Sequence, residues 1–296
     1  MNRSKKIAVL FFFTAVSVLP TTAILAQLVK HNQPLSSEHD IKAYIEVGGA
    51  NFSLHAHSVP YVYEYKYPAR ELANLNTTYK IKGSSGFLSI TTTQNNQSSN
   101  HKLIGWELFN DSDESQVIPP IDLSLCDKYP IDLNLSVGAS KADLDFTGIK
   151  LSNLNLNTGA CKTIVSFNLQ NLAVLEHMKI STGASQLTMT GLGFANFNEM
   201  DFYGGVTDVE MDFTGNIDRA VKVTITIDAG TMLIKIPKDI SVNLTHSGSF
   251  FSSIDLPTDF VKNASQYTSS NYGTTKGVLN MTISSGAGAL KLEWIE

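Results

Sequence analysis

"PIDLNLSVGASKADLDFTGIKLSNLNLNTGA", residues 130–160, holds the pattern from which the rest of the chain can be read. Gly138 is followed by Ala142, Leu144 and Phe146, at offsets of four, six and eight. It is preceded by Leu135 and Leu133, at offsets of three and five. Gly159 repeats the arrangement with Thr163, Val165 and Phe167 after it and Leu156 and Leu154 before it. Apolar residues at alternate positions, in short runs bounded by glycine, predict strands. A helix would space them three and four apart.

Outward from this stretch the unit recurs. Gly183 leads to Leu187 and Met189, Gly205 to Val209, Met211 and Phe213, and Gly286 to Leu290, Leu292 and Trp294. In "DAGTMLIKIP" Asp228 takes the turn position, ahead of Met232, Ile234 and Ile236. Gly48 does the same near the start, with Ile45 before it and Phe52 and Leu54 after it. Anchors at 138, 159, 183, 205 and 228 recur at a near-constant interval. Such a period predicts a solenoid, in which each repeat buries its inner face by stacking on its neighbours. Two strands and two turns are expected per repeat, with "DFTG" at 145–148 and 212–215 marking the second corner. A β-sandwich also uses evenly spaced strands, but equal offsets on both sides of every turn favour the solenoid.

Residues 58–128 interrupt the repeat. They hold "YVYEYKY" at 61–67, a hairpin signal around "GSSG" at 83–86, a polar segment at 93–102 and "LIGWELF" at 103–109. The expectation is a continuous solenoid with a β-rich N-terminal elaboration that caps one open edge, since an uncovered edge offers unpaired strand groups to other chains. Glu293 and Glu296 are expected to guard the opposite edge.

Composition agrees with a folded, weakly charged chain. Of the 296 residues 43% are apolar and only 17% charged, which excludes disorder as the main state. Soluble domains average about 25% charged residues, so Asn, Ser and Thr must do much of the solvating. A net charge of −5 argues against nucleic acid or an anionic membrane surface as partner.

The N-terminus reads as an export signal over residues 1–26. Arg3, Lys5 and Lys6 precede the apolar run from Ile7 to Leu19, Pro20 breaks it, and Leu25-Ala26 precedes Gln27. Cleavage after Ala23 is the alternative site. An uncleaved anchor is the competing reading, but the run falls short of the roughly 20 residues a spanning helix needs. Loss of the three basic residues takes the net charge from −5 to about −8. No membrane span is expected after cleavage. Cys126 and Cys161 could pair in an oxidising compartment, though their strand positions do not obviously stack.

The run from 130 to 160, "ISTGASQLTMTGLGFANFNEMDFYGGVTDVEMDFTGN" at 180–216 and "ITIDAGTMLIKIPKDISVNL" at 225–244 together resemble the toast-rack family of bacterial envelope proteins. That family includes the extracytoplasmic part of LiaF-type envelope-stress regulators and domains named as candidate adhesins. The resemblance is close over 130–295 and looser over 40–125. It implies an all-β, single-stranded, right-handed β-solenoid, organised as a toast-rack N-terminal region at 27–128 and the solenoid proper at 129–296. It brings no catalytic residues. Unlike LiaF, this chain carries no transmembrane helices beyond the signal, so a direct kinase-regulating role does not carry over.

Two function classes compete. The first is an exported, non-enzymatic binding or adhesion module whose partner is an envelope protein or a polysaccharide. The second is a glycan-active enzyme, because long β-helices often process polysaccharides; a purely structural scaffold is a third reading. Asp143 and Asp145 would lie about 6.6 Å apart along one strand, within the range of glycosidase carboxylate pairs. Their expected rung neighbours, Ile164 and Ser166, supply neither base nor cation. Glu210, Asp212 and Lys235 read as a surface charge group, with Lys235 beside Asp212. His55 and His57 lack a third metal ligand, and no cofactor motif is present. No catalytic, cofactor or metal residue is therefore assigned. Tyr61, Tyr63, Tyr65 and Tyr67 alternate along one strand face. That face is a candidate binding surface, because Tyr joins apolar area to a hydroxyl. The rival reading is that it packs against a neighbouring strand.

Overall fold

The computed structural model describes residues 28–49, 51–58, 60–68, 75–92, 120–138, 141–249 and 252–296. The expected signal, the polar segment at 93–102 and "LIGWELF" lie outside these residues.

The repeat folds as the spacing demands. Before each turn come β8 (Ile131–Val137), β10 (Leu151–Thr158), β12 (Leu175–Thr182) and the first parts of β14 (Phe197–Asp212) and β15 (Ala220–Pro237). After the turn come β9 (Lys141–Asp145), β11 (Lys162–Ser166), β13 (Ser185–Thr190) and the second parts of β14 and β15. Successive strands of each set pair in parallel, so the chain winds as a solenoid with two ladders. The architecture is the all-β right-handed solenoid expected from the sequence.

Alternation sends one side chain in two inward, and the constant offset sets the inward ones in columns. One column runs Leu135, Leu156, Ile180, Phe202, Ile225. The other runs Leu144, Val165, Met189, Met211, Ile234. All ten are buried. Each contributes about 1.5–3 kcal/mol by leaving water, but only with a rung on either side. At the second corner Asp145 Oδ1 accepts from Thr147 N at 2.9 Å and Asp212 Oδ1 from Thr214 N at 2.7 Å, so both "DFTG" runs are side-chain-closed turns.

The ends depart from sequence order. At the N-terminal end β2 (Asp40–Val47) and β3 (Asn51–His57) form a rung against β8 and β9. The chain then passes outward through β4 (Tyr61–Pro68) and β5 (Leu75–Lys82). It completes a further parallel rung outside β2 and β3 with β6 (Ser85–Thr92) and β7 (Pro120–Cys126). Antiparallel strands close this end: β5 on β6, β4 on β7, and β1 (Leu28–Pro34) on β4.

The C-terminal end repeats the manoeuvre. After β15 the chain builds β16 (Ser241–Gly248), β17 (Ser252–Asp255) and the hairpin β18 (Phe260–Asn263) to β19 (Gln266–Ser269). It then returns, and β20 (Val278–Ile295) inserts between β15 on one side and β16 and β17 on the other. Pairing of β17 with β20 ends at Lys291, so Glu293, beside Lys235 of β15, lies on the last stretch of β20, where β15 is its one partner among the described strands.

Candidate binding faces

The residues that alternate outward form rows across the rungs. On the second ladder one row runs Ser53, Asp143, Ile164, Thr188, Glu210, Leu233, Lys291. Its stretch from Ile164 to Lys291 forms the floor of a shallow groove of about 460 Å³ whose other walls include Lys162, Asp208 and Thr231. Ile164 is 44% exposed there, the one large apolar side chain so open on this row. Lys235 Nζ donates to Glu210 Oε1 at 2.6 Å. Lys235 stands in register with Asp212, but its ion pair is with Glu210. That hydrogen bond pushes the Lys235 ammonium above its usual range.

Asp143 and Asp145 share the outward side of β9, and their rung neighbours are Ile164 and Ser166, as the spacing requires. Asp145 is committed to its turn through Thr147. Asp143 lines an open depression with Lys141 and Lys162, while Asp145 closes the corner, so the two carboxylates have different surroundings.

The rows of the first ladder mix uncharged and charged residues. Asn155 donates to Asn134 Oδ1 at 3.0 Å, and Asn243 pairs with Asn280 at 3.4 Å. Thr224, Thr282 and Thr245 stand in one row. Where charges occur they cross-link rungs: Glu199 accepts from Lys222 and faces His177 at 3.4 Å. The Lys222 hydrogen bond holds the Glu199 carboxyl below the usual carboxylate range.

The tyrosine ladder is turned inward. Tyr63, Tyr65 and Tyr67 are 1%, 4% and 3% exposed, and Tyr61 is half-buried. The cause is register: Tyr65 pairs with Leu123 and Tyr63 with Leu125, and Leu123 stands beside Leu54 of the inner column. The ladder thus prolongs the core into the cap. Its rings stack at 5.7 Å between Tyr63 and Tyr65, with His31 5.1 Å from Tyr65. Tyr63 Oη meets His31 Nδ1 at 3.2 Å and Tyr65 Oη meets Thr77 Oγ1 at 3.0 Å. Burial pushes the Tyr63 phenol up to about 12. The expectation that this face offers a binding surface is corrected in favour of packing.

His55 contacts Asp122 at 3.2 Å, and no metal-ligating cluster occurs among the described residues. Cys126 and Cys161 are both buried and are not joined to each other. Sequence reasoning missed the polar corner stack. Buried Asn171 donates to the carbonyls of Leu151 (2.9 Å) and Ala195 (3.2 Å). Asn196 donates to those of Asn171 and Ala173, and Arg219 to those of Asn196 and Phe197. One asparagine or arginine per rung does not stand out in a chain so rich in Asn.

Among the described residues no helix is long and apolar enough to cross a membrane. The family model for the N-terminal domain of toast_rack, DUF2154, matches residues 29–176, half of the chain. That match covers the N-terminal part, where the sequence resemblance is the looser one, and the first rungs of the closer part. No curated protein matches the chain. Among solved structures, a candidate cell-adhesion protein from Clostridium sporogenes is 17% identical, covers 91% of this chain and all of its own, and has a TM-score of 0.45. A candidate adhesin from Parabacteroides distasonis is 11% identical, with 90% of this chain and 98% of its own covered and a TM-score of 0.37. A candidate lipid-binding protein from the same organism is 10% identical, with 91% and 98% covered and a TM-score of 0.32. With its rungs, its two parallel ladders and a family match across half its length, the chain belongs to the toast-rack family.

Proposed function

We propose that the protein is an exported, non-enzymatic binding module of the bacterial cell envelope, of adhesin type. Its setting would be the envelope-stress response that the LiaF resemblance implies. The observation that carries this reading is the cross-rung register of the outward rows. Backbone pairing on both sides of every central strand fixes their spacing, so the module presents two preorganised faces with no metal or cofactor needed to hold them. The low charge of the chain, 17% of its residues, supports contact with a surface rather than steering of a charged small molecule.

Two measurements test it. Fractionation of cells carrying the native gene should find the protein outside the cytoplasm, trimmed near residue 27; retention in the cytoplasm would end the reading. Purified protein should then co-sediment saturably with envelope fragments. Absence of saturable binding would leave a scaffold. Turnover of a polysaccharide that vanished in Asp143→Asn would make it an enzyme.

A further inference from the structure

The N-terminal cap places a row of outward residues across four strands: Lys80 of β5, Phe87 of β6, Lys42 of β2 and Asp132 of β8. The next row is Thr78, Ser89, Tyr44 and Asn134. Lys82 joins them from the end of β5. Its ammonium lies 5.5 Å from the centre of the Phe87 ring, and that of Lys42 lies 5.9 Å from it. Phe87 remains 37% exposed and Tyr44 48%. Together these residues line an open depression of about 350 Å³.

Charge on this platform is unbalanced. Lys30, Lys66, Lys222, Lys235 and Lys291 have carboxylate partners, whereas Lys42, Lys80 and Lys82 have none among the described residues. The carboxylate in the lining is Asp132, beside Lys42. Of the acids nearby, Asp40 accepts from Ser85 and Glu46 from the Tyr44 hydroxyl. In a chain of net charge −5, two of these cations lie over one exposed ring and the third, Lys80, stands in register beside it. The strand beneath is fixed from the inner side, where Tyr79 lies over Gly86: a Cβ at Gly86 would stand 2.2 Å from the Tyr79 hydroxyl.

We propose that this platform is a docking site for an anionic glycan. Sugar rings would lie on Phe87 and Tyr44, carboxylate or phosphate groups would meet Lys42, Lys80 and Lys82, and Thr78, Ser89 and Asn134 would bond ring hydroxyls. The inference deepens the binding-module reading and rests on it. A peptide strand is the less suitable occupant. Such strands add to sheet edges through main-chain groups, which here means the outer side of β5, whereas Phe87, Tyr44 and Lys42 stand on the sheet face, on strands paired on both sides. Three lysines also fall short of the four to eight that mark an anionic-lipid patch.

The test is titration of the purified protein with polygalacturonate, which carries carboxylates, and phosphomannan, which carries phosphates. Dextran, poly-L-glutamate and phosphatidylglycerol vesicles serve as comparisons. One or both anionic glycans should bind, more weakly as salt rises, and whichever binds identifies the anionic group. Dextran should not bind. Lys42→Gln with Lys82→Gln should weaken binding about tenfold or more, and Phe87→Ser should weaken it at an unchanged melting temperature. Equal binding of poly-L-glutamate, preference for the vesicles, failure of both anionic glycans, or undiminished binding by the lysine variant would each overturn the proposal. Co-sedimentation with envelope fragments separates this from the broader reading. If the lysine variant sediments as the parent does, this site is wrong and the module stands. If the parent itself fails to sediment, the module reading falls.

Discussion

In the central rungs a residue's neighbours are those one repeat away, as Leu135 is to Leu156 and Leu156 to Ile180. At the ends the neighbours are distant in sequence: Ile45 stands between Leu135 and Ile90, and Ile225 meets Ile283 across the whole β16–β19 excursion. Both ends use one device. The chain steps outward, builds an outer rung with antiparallel strands on it, and returns to fill the gap. The outermost strands are therefore short or antiparallel additions, not open copies of the repeat, which limits edge-to-edge association. The centre is thus specified by spacing and the ends by closure.

The sharpest contrast concerns backbone approach. Gly230 of β15 has φ +132°, and a Cβ there would stand 1.8 Å from the carbonyl oxygen of Thr207 in the rung below. Gly273, in the C-terminal cap, has φ +82° and nothing within 4 Å of its Cβ position. Gly230→Val should abolish soluble folded protein or cost more than about 4 kcal/mol. Gly273→Ala should cost about 1–2 kcal/mol, from the left-handed backbone alone. Denaturant unfolding compares the two. Equal losses would mean that close stacking of rungs does not distinguish centre from cap.

A smaller effect asks whether cap and centre unfold together. Tyr63→Ala should cost about 3–5 kcal/mol, as for other buried aromatics. Because contacts are made between adjacent rungs, the loss should concentrate in β1, β4 and β7. Hydrogen exchange should therefore speed up there first and leave β10 to β14 protected. A uniform rise would show that the solenoid unfolds as one unit and that the division into cap and centre has no energetic meaning.

The same contrast explains what could be read beforehand. Ile45, Leu156, Ile180, Phe202, Ile225 and Ile283 were assignable to one column because each sits three residues before its anchor. Asp228 could be recognised in a glycine's place for that reason, and it does stand between Gly205 and Gly286. Periodicity carries no information about a strand that returns, so the insertion of β20 between β15 and β16 was not legible. Nor does alternation say which face of β4 is inward; that depends on its pairing with β7, which supplies Leu123 and Leu125. The platform around Phe87 was hidden for the same reason. Lys80, Phe87 and Lys42 come from three strands whose order the sequence does not give.

The mildest test is acidity. Glu64 in the cap accepts from Lys30 at 2.7 Å, and that hydrogen bond, aided by the charges of Lys30, Lys66 and His57, holds its carboxyl below the usual range even though burial opposes. A carboxyl whose folded pKa is depressed contributes stability that is complete above the unfolded pKa and is lost as pH falls through the folded one. The protein should therefore lose part of its stability below about pH 4.5, and Glu64→Gln should remove that part of the slope while lowering stability slightly at neutral pH. Glu199 of the central face is also depressed, by Lys222, but its side chain is 28% exposed against 11% for Glu64. Solvent screening should make the flattening by Glu199→Gln the smaller of the two. Melting temperatures of both variants from pH 3 to 7 decide the matter. A larger flattening in Glu199→Gln would move the acid-sensitive region from the cap to the centre of the solenoid.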